Sequence, residues 1–220
     1  MFQHILRLTR HTALYGVGNV LSRLVWFLLL PFFTHALPPD QFSIQTLYYI
    51  LIALMMEVVR LGQDIALLRF YVLEKDPRRR ETIFSTLFWA AFLFTTAVSG
   101  FIWVEADFLV RLIVEHPPPY PRWMVYTLRL CAGIIWLDNL TAFPLVVMRG
   151  EGRPKRFIFA RLSGSLAQAG ATLVLLLLLG RGVPGIFEGN LTASLVTFFI
   201  CLPTLFSRLR LRFEKGILAA

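Results

Sequence analysis

The sequence predicts an all-α, polytopic membrane bundle of about six transmembrane helices. Three observations carry this. The chain of 220 residues is 57% hydrophobic, and its mean hydropathy is +0.67. Its apolar residues fall in long runs broken by short polar clusters, a distribution that a water-soluble core cannot absorb. Finally, Lys and Arg are concentrated in alternate loops between those runs, the pattern of a chain crossing a bilayer.

A run of about 20 apolar residues crosses the hydrocarbon at the helical rise, and six stretches qualify. The first occupies residues 12–37. Two arginines precede it, as in a signal peptide, but the run continues past Pro31 without a small-residue cleavage site, so it reads as a retained helix. Pro38, Pro39 and Asp40 then form a turn and helix start, since proline fits the first helical position and Asp favours the first turn. The second span, 41–73, is longer than the hydrocarbon is thick and is expected to tilt or project. The third covers 81–104 and is followed by an interfacial turn over 107–114. Pro117, Pro118 and Pro119 block helix continuation before the fourth span, 122–148. A basic loop leads to the fifth, 154–179, and a glycine-rich turn to the sixth, 185–206. Residues 1–207 thus form one six-helix lobe, and residues 208–220 read as a basic linker and the start of a further helix.

Orientation follows from the cations outside the spans. One side holds Arg7, Arg10, Lys75, Arg78 to Arg80, Arg149, Arg153, Lys155, Arg156, Arg208, Arg210, Arg212 and Lys215, 14 in all, against three on the other, Arg111, Arg122 and Arg181. Both termini are therefore expected in the cytoplasm. The net charge of +9 is explained by this bias, which removes the argument for nucleic acid. Cys131 and Cys201 lie inside apolar runs and read as packing residues, without a disulfide or metal role.

Five arginines, Arg23, Arg60, Arg69, Arg129 and Arg161, lie within the spans with Glu57, Asp64 and Asp138. Charges in hydrocarbon are costly and mark protein interiors or watery pathways. Arg69, Arg129 and Arg161 sit near helix ends, where snorkelling to the headgroups accounts for them. Arg23 falls near the midplane. Glu57, Arg60 and Asp64, three and four residues apart, share a helical face and can pair along it, whether as a structural ion pair or as a functional site. Asp138 and Asn139, in mid-span, extend this polar interior or join helices by hydrogen bonds. The candidate substrate-binding set is Arg23, Arg60, Asp64, Glu57, Asp138 and Asn139. No catalytic set or metal-ligand cluster is present in the sequence, and no enzyme activity or cofactor is expected. The glycosylation sequons at Asn139 and Asn190 fall in or at the start of spans, out of reach of that machinery. Gly16 and Gly18 lack the strand context of a nucleotide loop, and the small residues Ala160, Gly164, Ala167 and Ala171 read as a close-packing stripe.

Three segments resemble the polysaccharide flippases of the multidrug/oligosaccharidyl-lipid/polysaccharide exporter superfamily: Leu-Tyr-Gly-Val-Gly-Asn-Val-Leu-Ser-Arg at 14–23 with Leu-Pro-Pro-Asp-Gln-Phe at 37–42, Leu-Gly-Gln-Asp-Ile-Ala-Leu-Leu-Arg-Phe-Tyr at 61–71, and Arg-Gly-Glu-Gly-Arg-Pro-Lys-Arg at 149–156. They occur in the family's order and on its elements. The resemblance implies the amino-terminal six-helix lobe of a two-lobe carrier in a bacterial inner membrane. It implies alternating access and a lipid-linked, undecaprenyl-pyrophosphate oligosaccharide as cargo, serving O-antigen or capsule assembly. Partners would be the bilayer, that lipid, and a second lobe or second copy. A drug/cation antiporter of the same superfamily, working through its acidic residues, and a non-transporting membrane subunit are the competing readings.

Overall fold

The computed structural model of the chain describes residues 16, 20, 24, 27, 28, 30–74, 76–114 and 119–210. Half of the first expected span, Arg23 included, and all residues after 210 therefore lie outside the described residues. Helical residues 30–36 lead to α1 (Pro39–Arg60) and α2 (Gln63–Leu73). Then come α3 (Pro77–Val104), α4 (Ala106–Ile113), α5 (Arg122–Gly150), α6 (Pro154–Leu173), which runs into a π-helical turn at Val174–Leu178, and α7 (Val183–Arg208). Five of these helices, counting α6 with its π-helical turn, are long and apolar enough to cross a membrane: α1, α3, α5, α6 and α7. The fold is an all-α membrane bundle.

Local chemistry sets the boundaries. Proline occupies the first turn of α1, α3, α6 and α7, where no intrahelical N–H partner is lost. The Asp76 carboxylate accepts from the Arg78 backbone N–H at 3.0 Å and caps α3. The single long helix expected over 41–73 is broken: Leu61 and Gly62 adopt left-handed conformations, with φ of 44° and 72°. Glycine takes that conformation at no steric cost and ends α1 there. The segment after Val104 is a helix, α4, in place of a turn, and its Ala106 and Val110 pack inward. Pro144 and Pro203 lie within continuous α5 and α7.

The axis of the bundle is α5. Its apolar window is 78% buried, against 22–33% for the other four spans, so every other helix packs around it. Two kinds of seam hold them. Between α3 and α5 the seam is aromatic: Phe143 meets Phe88 edge-on at 5.6 Å and Phe84 at 6.3 Å, and Trp136 packs on Phe92 at 6.0 Å. Between α6 and α7, which share the most extensive contact, the seam is glycine. A Cβ at Gly189 would stand 2.9 Å from the Thr172 backbone nitrogen, and one at Gly164 would collide with Thr197. Lipid supplies no hydrophobic drive to bring helices together, so such backbone approach is what gives them enough contact to associate.

Candidate functional site

The α6–α7 seam is tight at Gly164 and Gly189. Beside it lies a cleft of about 140 Å³ bounded by α5, α6, α7 and the end of α1. Arg60 and Arg161 enter it from α1 and α6, and Asp138 from α5. Neutral polar groups complete the wall: Thr141 from α5, Ser165 and Gln168 from α6, and Asn190, Ser194 and Thr197 from α7. Asp138 is the seventeenth of the 29 residues of α5, which puts the cleft about halfway along a helix roughly 40 Å long.

Asp138 is half-buried; its carboxylate meets the Ser194 hydroxyl and lies in the field of Arg161 and Arg60. Arg161 is exposed at the mouth, its guanidinium 6.0 Å from the Phe157 ring centroid. Arg60 is held across the α1–α2 break by Asp64, with 4.0 Å between Nε and Oδ2. That is the outer limit of an ion pair, and the buried Nε makes no hydrogen bond among the described residues. Two guanidiniums and one carboxylate thus share a small polar space with incomplete pairing. Chemically, it suits an anion of phosphate size together with water, since forked N–H donors match tetrahedral oxygens.

The sequence-selected residues separate in space. Arg60 and Asp138 come together in the cleft, and Asp64 stands behind Arg60, facing a narrow crevice with Leu67 and Phe143. Glu57 does not join them: it is exposed on α1. Asn139 turns to the opposite side of α5, where it is buried and donates to Thr95 on α3 at 2.5 Å, a helix-joining bond. Arg23 lies outside the described residues. Arg161, expected to snorkel, lines the cleft instead. Gln168, Ser194 and Asn190 also enter it, and in the sequence Asn190 carries only a discounted sequon. Periodicity could have found Arg161 and Gln168, which lie seven residues apart and so share a face of α6.

A second set of charges closes the Arg149 end of the bundle. The Glu151 carboxylate accepts from Arg208 at 2.6 Å and from the Tyr71 hydroxyl at 2.9 Å, and pairs with Arg153 at 3.0 Å. Glu81 pairs with Arg210 at 3.1 Å and Arg208 at 3.9 Å. This clasp joins α2, α3, the α5–α6 turn and the end of α7. Cys131 and Cys201 are buried free thiols on different helices.

Residues 34–219 match the family described as Polysaccharide biosynthesis protein. No curated protein matches the chain. Among solved structures, a MOP superfamily transporter from Pyrococcus furiosus superposes with a TM-score of 0.74 at 17% identity, covering 97% of this chain and 49% of its own. A multidrug resistance MATE family transporter in an outward-facing conformation gives 0.71 at 17% identity, covering 97% of this chain and 49% of its own. MATE in complex with MaD3S gives 0.75 at 17% identity, covering 97% and 50%. The chain spans about half the length of the solved transporters it matches. At this identity the likeness establishes the fold, one lobe of the MATE-like architecture. With the match over residues 34–219, the chain belongs to the Polysaccharide biosynthesis protein family and is a multi-pass membrane protein.

Proposed function

We propose that the chain is one half of a membrane transporter that moves a lipid-linked oligosaccharide across a bacterial inner membrane by alternating access, with the mid-membrane cleft holding the phosphate of the lipid carrier. The observation that carries this reading is the cleft itself: Arg60 and Arg161 face a polar space about halfway along α5, and their pairing there is incomplete. An arginine facing lipid at that depth would be strongly disfavoured, and one facing a watery cleft would not. The volume sets the division of labour. About 140 Å³ holds a phosphate group or a few waters and is far too small for an oligosaccharide. The glycan would therefore lie outside the cleft, against a second lobe or a second copy.

The test is glycan export beside membrane abundance in cells carrying Arg60→Ala or Arg161→Ala. Both variants are expected at normal abundance with export lost. Normal export by both would overturn the reading. Arg23, near mid-membrane by sequence, is given the same phosphate-binding role, so that Arg23→Lys should keep partial export and Arg23→Ala should lose it. Placing the Arg149 end in the cytoplasm rests on the cation count. A cysteine at Arg79 or Lys155 should then resist an impermeant thiol reagent in intact cells, and labelling there would reverse the orientation.

One observation favours a second reading. Asp138 is the cleft's carboxylate among the described residues, and a drug/cation antiporter would bind its coupling ion there. Asp138→Asn separates the two: it should abolish transport in an antiporter, and leave phosphate-directed export largely intact in the flippase.

A further inference from the structure

At the end of α5 opposite the clasp, a second and larger cavity of about 690 Å³ lies between α4 and α5, within the range of roughly 300–1,000 Å³ typical of small-molecule sites. Its walls carry Arg111 from α4 and Arg122 and Arg129 from α5, with the Tyr120 and Tyr126 rings between them. The one acidic group among the described lining residues is Asp107, which pairs with Arg129 at 3.3 Å.

We infer that this basin binds an anionic sugar phosphate, using Arg111, Arg122 and Arg129 for the phosphate and the tyrosine rings for the sugar.

Charge balance comes first. Among the described residues, three guanidiniums converge on one cavity with one carboxylate, and Arg111 and Arg122 have no acidic partner within 4.0 Å. Glu188, close by on α7, does not supply the missing charge: its carboxylate is taken by Arg181 at 2.6 Å and the Tyr126 hydroxyl at 2.9 Å. Like charges gathered without counter-ions repel, and a bound anion relieves that repulsion. An unmet donor points the same way. The Nε of Arg129 is buried without a hydrogen-bond partner among the described residues, although the same guanidinium reaches Asp107 through Nη2. Spacing adds a third reason. Arg122, Tyr126 and Arg129 lie four and three residues apart and form one face of α5, so cation, ring and cation are presented in a row. A phosphate in the guanidinium forks leaves an adjoining sugar ring beside the tyrosine faces, an arrangement with no counterpart in the cleft along α5, where no aromatic ring is among the described lining residues. Arg129, expected to snorkel, instead pairs with Asp107 on α4.

The same chemistry could arrive as a soluble sugar phosphate or as the headgroup of a glycosylated lipid. Binding at the basin does not depend on the transport reading, so the two can fail separately. The test uses the purified chain in phosphatidylcholine nanodiscs, with radiolabelled glucose 1-phosphate, and glucose as the uncharged control. Saturable binding of glucose 1-phosphate is expected, with glucose at least roughly tenfold weaker. Arg122→Gln and Arg111→Gln should each weaken it roughly tenfold, the loss of one charge-assisted contact. The lysine variants of both positions should bind with intermediate strength, which separates loss of the fork from loss of fold. Arg78→Gln, an exposed arginine at the clasp end of the bundle, should leave binding unchanged. Repeating the measurement with undecaprenyl phosphate in the nanodisc distinguishes the sources: competition assigns the basin to lipid headgroups, and its absence to soluble sugar phosphates. No saturable binding, binding unaffected in the Arg111→Gln/Arg122→Gln double variant, or equal loss in Arg78→Gln would overturn the inference.

Discussion

Two arginine clusters in this bundle are built differently. At the Arg149 end, Arg153, Arg208 and Arg210 each reach a carboxylate at 3.1 Å or closer, and Glu151 also takes a tyrosine hydroxyl. In the mid-membrane cleft, Arg60 has a carboxylate only at 4.0 Å, and Arg161 has none within that distance among the described residues. The paired set sits at one end of the bundle, and the under-paired set sits about halfway along α5, the depth at which an unsatisfied charge in a spanning helix is most costly. A sequence bears that cost at depth only if something else meets the charge, water or a ligand. Paired arginines here tie elements together, and it is the under-paired ones to which the proposed binding role falls.

The largest effect should come from destroying the wall that the cleft depends on. A Cβ at Gly189 would lie 2.9 Å and 3.0 Å from Thr172 backbone atoms, which have no freedom to retreat. Gly189→Val should therefore cost about 3 kcal/mol or more by forcing α6 from α7. Loss of folded protein on size-exclusion chromatography is the expected result, and a normal elution profile would show that the seam is looser than these distances imply.

Next comes the clasp. Glu151→Gln leaves Arg208 and Arg153 without their shared carboxylate, and the Glu151 side chain is only 13% exposed. Breaking a buried pair costs several kcal/mol, but Arg208 is 29% exposed and solvent screens part of that, so about 2 kcal/mol is expected. For a chain of this size that is a fall of roughly 4–8 °C in Tm. Asn139→Leu should cost less, about 1 kcal/mol, since it removes one hydrogen bond to Thr95 and leaves that hydroxyl free to turn elsewhere. Export should be unaffected, because Asn139 faces α3 and not the cleft. Lost export at normal abundance would return Asn139 to the binding set.

Much of this architecture is legible in the sequence, because apolar run length and loop charge are one-dimensional signals. The starts of α1 and α6 fall where prolines sit, and both arginines of the cleft are visible as charges inside spans. What escapes is rotation about helix axes. Depth places Arg161 near a helix end and suggests snorkelling, but depth does not show that it lines one cleft with Asp138. Glu57 shows the converse: spacing alone groups it with Arg60, while the packing of α1 leaves it outside. The α1–α2 break is hidden inside one long expected span, where Leu61 gives no cue and Gly62 is one glycine among 14. Asn190 is set aside for a chemistry that it does not perform, and its role depends on α7 starting early enough to bring it to cleft depth.

Whether pairing separates structural from binding arginines is tested most directly by comparing apparent Tm in one detergent for Arg161→Gln and Arg208→Gln. A fall of roughly 4–8 °C is predicted for Arg208→Gln, from the loss of about 2 kcal/mol. Arg161→Gln should stay within about 1 °C of the parent, because Arg161 has no ion pair to lose among the described residues. An equal fall in both would contradict this division, since Arg161 would then hold the fold together as Arg208 does.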